Sequence, residues 1–275
     1  MKEFNLILVA LFFSLHQVVI RKGTEKGDLN SGIFISLLTS SIIFLTLSAG
    51  RFYFDRAFLL VMASAGVLHF LVARTAFYHS IDRVGANVAG PLSATRMYFA
   101  VLFGAVFFQE EITARIILMT TLIFTGIFLL SKPDNIRRDT VGVLLGLVTG
   151  LAASFSSVLV KAGMQIHGDA VWASAIGYIS STLLYAALMK GKAFTVSRSH
   201  IYFALGGLLV GVGHYLRYDA LMTVPVSVVE PVLSIYPLFT ILLTYALIRD
   251  LESFTFRVIA GAILIILGVD VYFFS

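Results

Sequence analysis

From residue 4 to residue 274 the chain is a succession of apolar runs separated by short charged or turn-forming punctuation. An α-helix needs ~20 apolar residues to cross a hydrocarbon core ~30 Å thick. Runs of about that length fall at 4–20, 31–49, 57–79, 84–108, 114–131, 140–163, 170–189, 201–221, 225–248 and 255–274. They are apolar on every side, which excludes barrel strands, where polar and apolar residues alternate over ~10 positions. Gly23-Thr24-Glu25-Lys26-Gly27-Asp28 closes the first run, Lys132-Pro133-Asp134-Asn135 the fifth and Lys190-Gly191-Lys192 the seventh. Ten spanning helices leave about seven residues per connection, too few for a nucleotide-binding domain, a catalytic lobe or a receptor module. Phe4 to Ile20 carries His16 and Gln17 and runs into Arg21-Lys22-Gly23 without a small-residue cleavage pattern, so it reads as a span, not a signal.

Composition removes most other classes. With 59% hydrophobic and 13% charged residues the chain cannot cover a water-soluble globule. The net charge of +5 would point to nucleic acid in a soluble protein, but Lys and Arg at span ends meet lipid headgroups and direct insertion. No nucleic-acid partner is expected; the partners are the bilayer and a small-molecule substrate. Cysteine is absent, so disulfides and thiolate sites are excluded. The six histidines show neither i,i+4 pairing nor carboxylates at ligand spacing, and no metal or other cofactor is expected. Nothing fits a phosphate loop or a nucleophile elbow, which speaks against an enzyme.

The chain also repeats itself. With residues 84–108 written above 224–248, Val84 meets Val224, Val88 meets Val228, Pro91 meets Pro231 and Phe99 meets Phe239. After a two-residue insertion, Glu110-Glu111-Ile112-Thr113 matches Glu252-Ser253-Phe254-Thr255, and Gly126 falls on Gly268. Arg21-Lys22-Gly23 likewise matches Lys161-Ala162-Gly163. The expected architecture is therefore all-α and integral to the membrane, ten transmembrane helices in two five-helix repeats, 1–135 and 136–275. An odd number of spans per repeat makes the second copy enter in the opposite sense, the inverted arrangement that can open to either side in turn. The structural alternative is a duplicated scaffold that transports nothing.

Ala220-Leu221 before a Pro-bearing span, and a Glu-x-x-Thr turn after it followed by a Gly-ended helix, resemble the EamA-type branch of the drug/metabolite transporter superfamily. The resemblance covers nearly the whole chain. It implies a ten-helix basket whose cavity is lined by the third, fourth, eighth and ninth helices plus the first and sixth, in an exporter or exchanger of small metabolites, amino acids included, at the cell membrane. The first half departs from the pattern: Ala76-Phe77 stands four residues further from Pro91 than Ala220-Leu221 does from Pro231, over a connection expected at Asp82-Arg83.

Ionisable groups inside lipid cost ~2.5–3.5 kcal/mol or more, so each one within a run is a functional candidate. Arg96 lies twelve residues into its run, too deep for headgroups, with small Ala89, Ser93 and Ala100 along its face and Phe99 and Phe103 beside it. It reads as a forked donor for a carboxylate or phosphate, or as half of an internal ion pair with Glu230. Glu230 precedes Pro231, with Ser227, Ser234 and Pro237 near its face; it is a candidate for a coupling proton, for a substrate ammonium, or for that same ion pair. His214 and Arg217 share a helical face, and His69 holds a place one position from His214 when the halves are aligned on Ala76 and Ala220. The two histidines are proton-relay candidates, against the commoner buried, hydrogen-bonded histidine. His16, Tyr98 and Tyr236 complete the substrate-binding set; the alternative is a capping or interhelical hydrogen bond for His16 and core packing for the two tyrosines. Gly142, Gly146 and Gly150 form a small-residue stripe for helix contact.

Arg96, Arg217, His69 and His214 against Glu230 favour a substrate with an anionic group, such as an amino acid, moved by alternating access and coupled to protons at Glu230, His214 or His69. Translocation of a lipid-linked or phosphorylated headgroup uses the same fold and stands as the alternative. Lysine and arginine concentrate in the odd connections (Lys22 and Lys26, Arg137 and Arg138, Lys190 and Lys192), which the positive-inside rule places in the cytoplasm with both termini outside. The resemblance implies cytoplasmic termini. A homodimer is compatible with this plan and is specified by nothing in the sequence.

Overall fold

A computed structural model describes residues 2–24, 28–84, 86–130, 139–190, 197–247 and 256–273, and every regular element among them is helical. In chain order these are α1 (Lys2–Thr24), α2 (Leu29–Leu47), α3 (Arg56–Gly66), a π-helical segment (Val67–Ala73), α4 (Arg74–Val84), α5 (Ala86–Ala94) and α6 (Arg96–Phe108). There follow α7 (Ala114–Leu130), α8 (Thr140–Ile166), α9 (Ala170–Leu188), α10 (His200–Leu221), α11 (Val226–Leu233), α12 (Tyr236–Leu247) and α13 (Phe256–Phe273). Asp28, Asp55 and Asp169 start α2, α3 and α9 by accepting hydrogen bonds from the N–H groups of Ser31, Phe58, and Val171 with Trp172.

Five stretches are long and apolar enough to cross a membrane: Leu29–Leu47, Arg56–Ser80, Pro91–Phe108, Thr140–Ile166 and Ala170–Leu188. Shorter apolar helical stretches run at Asn5–Ile20, Ala114–Leu130, Val226–Thr240 (α11 and the start of α12) and Ile259–Tyr272. Polarity is distributed accordingly. Ile42, Leu60, Val106, Leu183 and Ile201 face outward while Ser31, Ser40, Ser154 and Ser174 are buried, the reverse of a water-soluble fold and suited to lipid. Buried hydroxyls join helices: Ser40 Oγ donates to the Gly207 carbonyl at 2.8 Å, and the Ser41 and Thr182 hydroxyls stand 2.8 Å apart.

The chain divides into two compact units, each drawing on both sequence halves: residues 1–71 with 159–223, and residues 72–158 with 224–275. In the first, α10 packs on α1, α2 and α9, and α9 packs on α2 and α3. In the second, α7 pairs with α13 and α6 with α11.

Two apolar runs are not the continuous helices their sequence suggests. The run at 84–108 breaks at Thr95 between α5 and α6, and the run at 225–248 breaks at Ser234-Ile235 between α11 and α12. The breaks are equivalent in the repeat: Arg96 begins one second half and Tyr236, 140 residues on, begins the other. Pro91 and Pro231 each remove one backbone donor, and the turns that follow tighten. Ser234 N–H bonds the Pro231 carbonyl at 3.0 Å, while Thr95 N–H and Oγ1 both return to the Leu92 carbonyl, at 3.3 and 2.6 Å. Arg96 is thus the first residue of a helix and not the middle of one.

Asp82-Arg83, expected in a connection, belongs to α4, where Arg83 Nη1 donates to Asp139 Oδ2 at 3.1 Å. The glycine stripe of α8 faces α4, α5 and the first break. A Cβ on Gly150 would stand 2.7 Å from Thr95 Oγ1 and 3.0 Å from Arg96 N, so only glycine lets α8 approach there. The punctuation at Lys132-Pro133-Asp134-Asn135 and Gly191-Lys192, and the Glu252-Ser253-Phe254-Thr255 half of the repeat, lie outside the described residues.

Candidate functional site

The second unit gathers its polar side chains at the two breaks. Glu230, on the last turn of α11, is completely buried, and Arg96, on the first turn of α6, is 11% exposed; Nε stands 3.5 Å from Glu230 Oε2. The same Nε donates to Ser234 Oγ at 3.2 Å, and Ser234 Oγ donates in turn to the Glu230 carbonyl at 2.7 Å. Ser157 of α8 donates to Glu230 Oε1 at 2.7 Å. The guanidinium carbon lies 5.7 Å from the Tyr236 ring centre, within cation–π range. Among the described residues no protein atom hydrogen-bonds Arg96 Nη2, though it is buried. Phe103 and Phe155 pack edge to face at 5.6 Å on the apolar side of α6. The arrangement can bind a carboxylate through the guanidinium fork, which stands at the positive end of the α6 dipole. Glu230 can hold a cation or a proton. The sequence candidates Arg96, Glu230 and Tyr236 are brought together here; Tyr98 is not. It is 42% exposed, its ring edge-on to Phe124 of α7 at 5.1 Å.

The first unit holds the histidines. His69 lies in the π-helical segment, and its ring meets that of His214 at 4.7 Å and 80°. Phe13, Phe70, Tyr178 and Tyr218 surround His214 at 4.8–6.4 Å between ring centres. Phe70 stacks on Tyr178 at 4.0 Å, and Tyr178 on Phe44 at 5.7 Å. Backbone contact between Gly66 and Gly177 brings α3 against α9 and makes the stack feasible. Arg217, one turn beyond His214, is completely buried. His16 Nδ1 donates to the Gly206 carbonyl at 2.9 Å, the interhelical bond that was its structural alternative. The structure thus brings the two imidazoles into edge-to-face ring contact, with Arg217 on the same helix as His214.

Sequence reasoning missed three features. The π-helical segment leaves the apolar pattern unaltered. Ser157 lies in a stretch of small residues that reads as helix packing. Glu110, treated only as a repeat marker, accepts hydrogen bonds from Val226 N–H at 2.8 Å, Ser227 N–H at 2.9 Å and Ser227 Oγ at 2.6 Å.

A helical membrane protein with two interrupted helices at equivalent places, and a buried charge pair at the interruption, is built as a carrier. The model of the EamA-like transporter family matches the chain twice, over residues 1–132 and 140–274. The chain belongs to that family, and it is an integral membrane transporter. An uncharacterized transporter of Archaeoglobus fulgidus is 22% identical over 274 residues, covering 96% of this chain and 94% of the relative. One of Clostridium kluyveri is 20% identical over 282 residues, covering 96% and 90%. A crystal structure 12% identical in sequence superposes with a TM-score of 0.81 over 98% of this chain and 96% of its own, which establishes a shared fold.

Proposed function

We propose that the protein is a secondary transporter of the plasma membrane, moving a small anionic or zwitterionic metabolite such as an amino acid by alternating access through ten spans arranged as the inverted repeats 1–135 and 136–275. The observation that carries this reading is the pair of equivalent helix breaks with Arg96, Ser234 and Glu230 gathered at them. Arg96 takes the substrate carboxylate. Glu230, released from Arg96 as the carboxylate arrives, accepts the substrate ammonium or a proton, since a buried carboxylate does not stay charged without a partner. His69 and His214 offer a second proton-bearing pair within their own unit.

The test is counterflow in proteoliposomes with labelled amino acids, dicarboxylates and a hexose phosphate. Exchange of an amino or organic acid is expected, and Arg96→Ala lowers it by about thirtyfold or more, the scale of breaking a buried charge pair. Arg96→Lys, which keeps the charge and loses the fork, retains part of the flux and guards against a folding defect. The reading fails if none of the three classes exchanges, or if flux survives in a folded Arg96→Ala protein.

A further inference from the structure

α11 is eight residues long, its N-cap residue is Pro225, and no side chain of Pro225 caps it. A helix that short, about 12 Å, does not hold itself together, because isolated helices below ~12–15 residues are marginal. Its first N–H groups are instead bound by Glu110, 116 residues upstream, with one carboxylate oxygen on Val226 N–H and the other on the N–H and hydroxyl of Ser227. The chain is bent to deliver this carboxylate. After Phe108, Gln109 takes the left-handed conformation (φ 54°) and Glu110 N–H closes on the Gly104 carbonyl at 3.1 Å. A Cβ on Gly104 would collide with Glu110 Oε2. At the other end of α11, Arg96 reaches Ser234 and Glu230. The two ends of α6 therefore grip the two ends of α11, a carboxylate at the positive end of its dipole and a guanidinium at the negative end.

From this we infer that Glu110 is a positioning residue for transport: by fixing the N-terminus of α11 it sets where Glu230 and Ser234 stand relative to Arg96, and so tunes substrate affinity from the opposite end of the half-helix. The inference rests on the Arg96 site proposed above. Glu110→Gln keeps the size and loses the charge and half of the acceptors. Hydrogen exchange in Glu110→Gln should quicken at amides 226–228 and also at 234–236 and 238, beyond the reach of a purely local cap. Apparent KM for the labelled acid that wild-type vesicles exchange should rise about tenfold, with a smaller change in maximal rate. Gly104→Ala should reproduce both effects, and adding it to Glu110→Ala should change nothing further, since the collision then has no partner. Asp169→Ala, which uncaps α9 in the other unit, serves as the comparison: it lowers thermal stability and leaves KM unchanged.

Exchange confined to 226–228, or a KM shift no larger than that of Asp169→Ala, overturns the inference. If Arg96→Ala abolishes counterflow while Glu110→Gln leaves KM alone, only the positioning role falls. If nothing is exchanged, the transport reading falls, and the hydrogen-exchange comparison still decides what Glu110 holds.

Discussion

Arg96 and Glu230 stand out in the sequence because a charge inside an apolar run must be compensated, and the structure compensates them partly with each other at 3.5 Å. Compensation extends to Ser157, whose hydroxyl donates to Glu230 Oε1 at 2.7 Å. Hydrogen bonds to buried charged groups contribute more than neutral ones, so Ser157→Ala should lower stability by about 1–3 kcal/mol, read by denaturation of the purified protein in detergent. A variant as stable as wild type would mean that Ser157 is not a significant partner of Glu230. What the sequence discloses at this scale is chemical type and depth; what it conceals is direction. Tyr98 is two residues from Arg96 and faces outward. Glu110 sits in Gln109-Glu110-Glu111, which reads as surface punctuation, and only the left-handed turn at Gln109 sends its carboxylate back to α11.

Whole helices were legible wherever an apolar run is enough to specify them, as in α2, α8 and α9. The breaks in the fourth and ninth runs were not, because each falls three to four residues beyond its proline, at Thr95 and Ser234, and the turn is set by backbone bonds to carbonyls 92 and 231. Helix starts are legible where an aspartate caps them, and they carry a pH dependence. Asp28 is held below its ordinary value of 3.8, chiefly by hydrogen bonding to Ser31, and Asp139 below the same value, chiefly by the Gly142 N–H and then by Arg83. A carboxyl with a lowered folded-state pKa stabilises the fold above its unfolded pKa and loses that contribution as pH falls through the folded one. Asp139→Asn should therefore melt below wild type at pH 6, with the gap narrowing as pH drops under about 3.8 toward 3. A gap that stays constant across that range would assign the loss to something other than the charge of the cap.

The proposed plan of ten alternating spans imposes a parity on the chain: odd connections share one side and even connections the other. Contacts inside each unit are compatible with it. Arg83 and Asp139 flank the third and fifth connections. Asn30 and Tyr185, at the first and seventh, approach within 3.4 Å. Among the even ones, Glu110 of the fourth meets Val226 and Ser227 beside the eighth, while Tyr53 of the second stacks on His167 of the sixth at 4.1 Å and accepts from Trp172 Nε1 at 2.9 Å. A missing or extra span between any of these partners would put one of them on the wrong side of the bilayer, ~30 Å away. The proposed plan therefore predicts that a fluorescent or phosphatase reporter placed after Glu111 and one placed after Lys190 report opposite compartments, while reporters at the two chain ends agree with each other and with the even position. The positive-inside rule adds that Lys190 and its reporter are cytoplasmic. Reporters at 111 and 190 that read the same compartment would remove the ten-span plan and the inverted repeat with it, whereas the expected parity with Lys190 outside would keep the fold and turn the carrier over in the membrane.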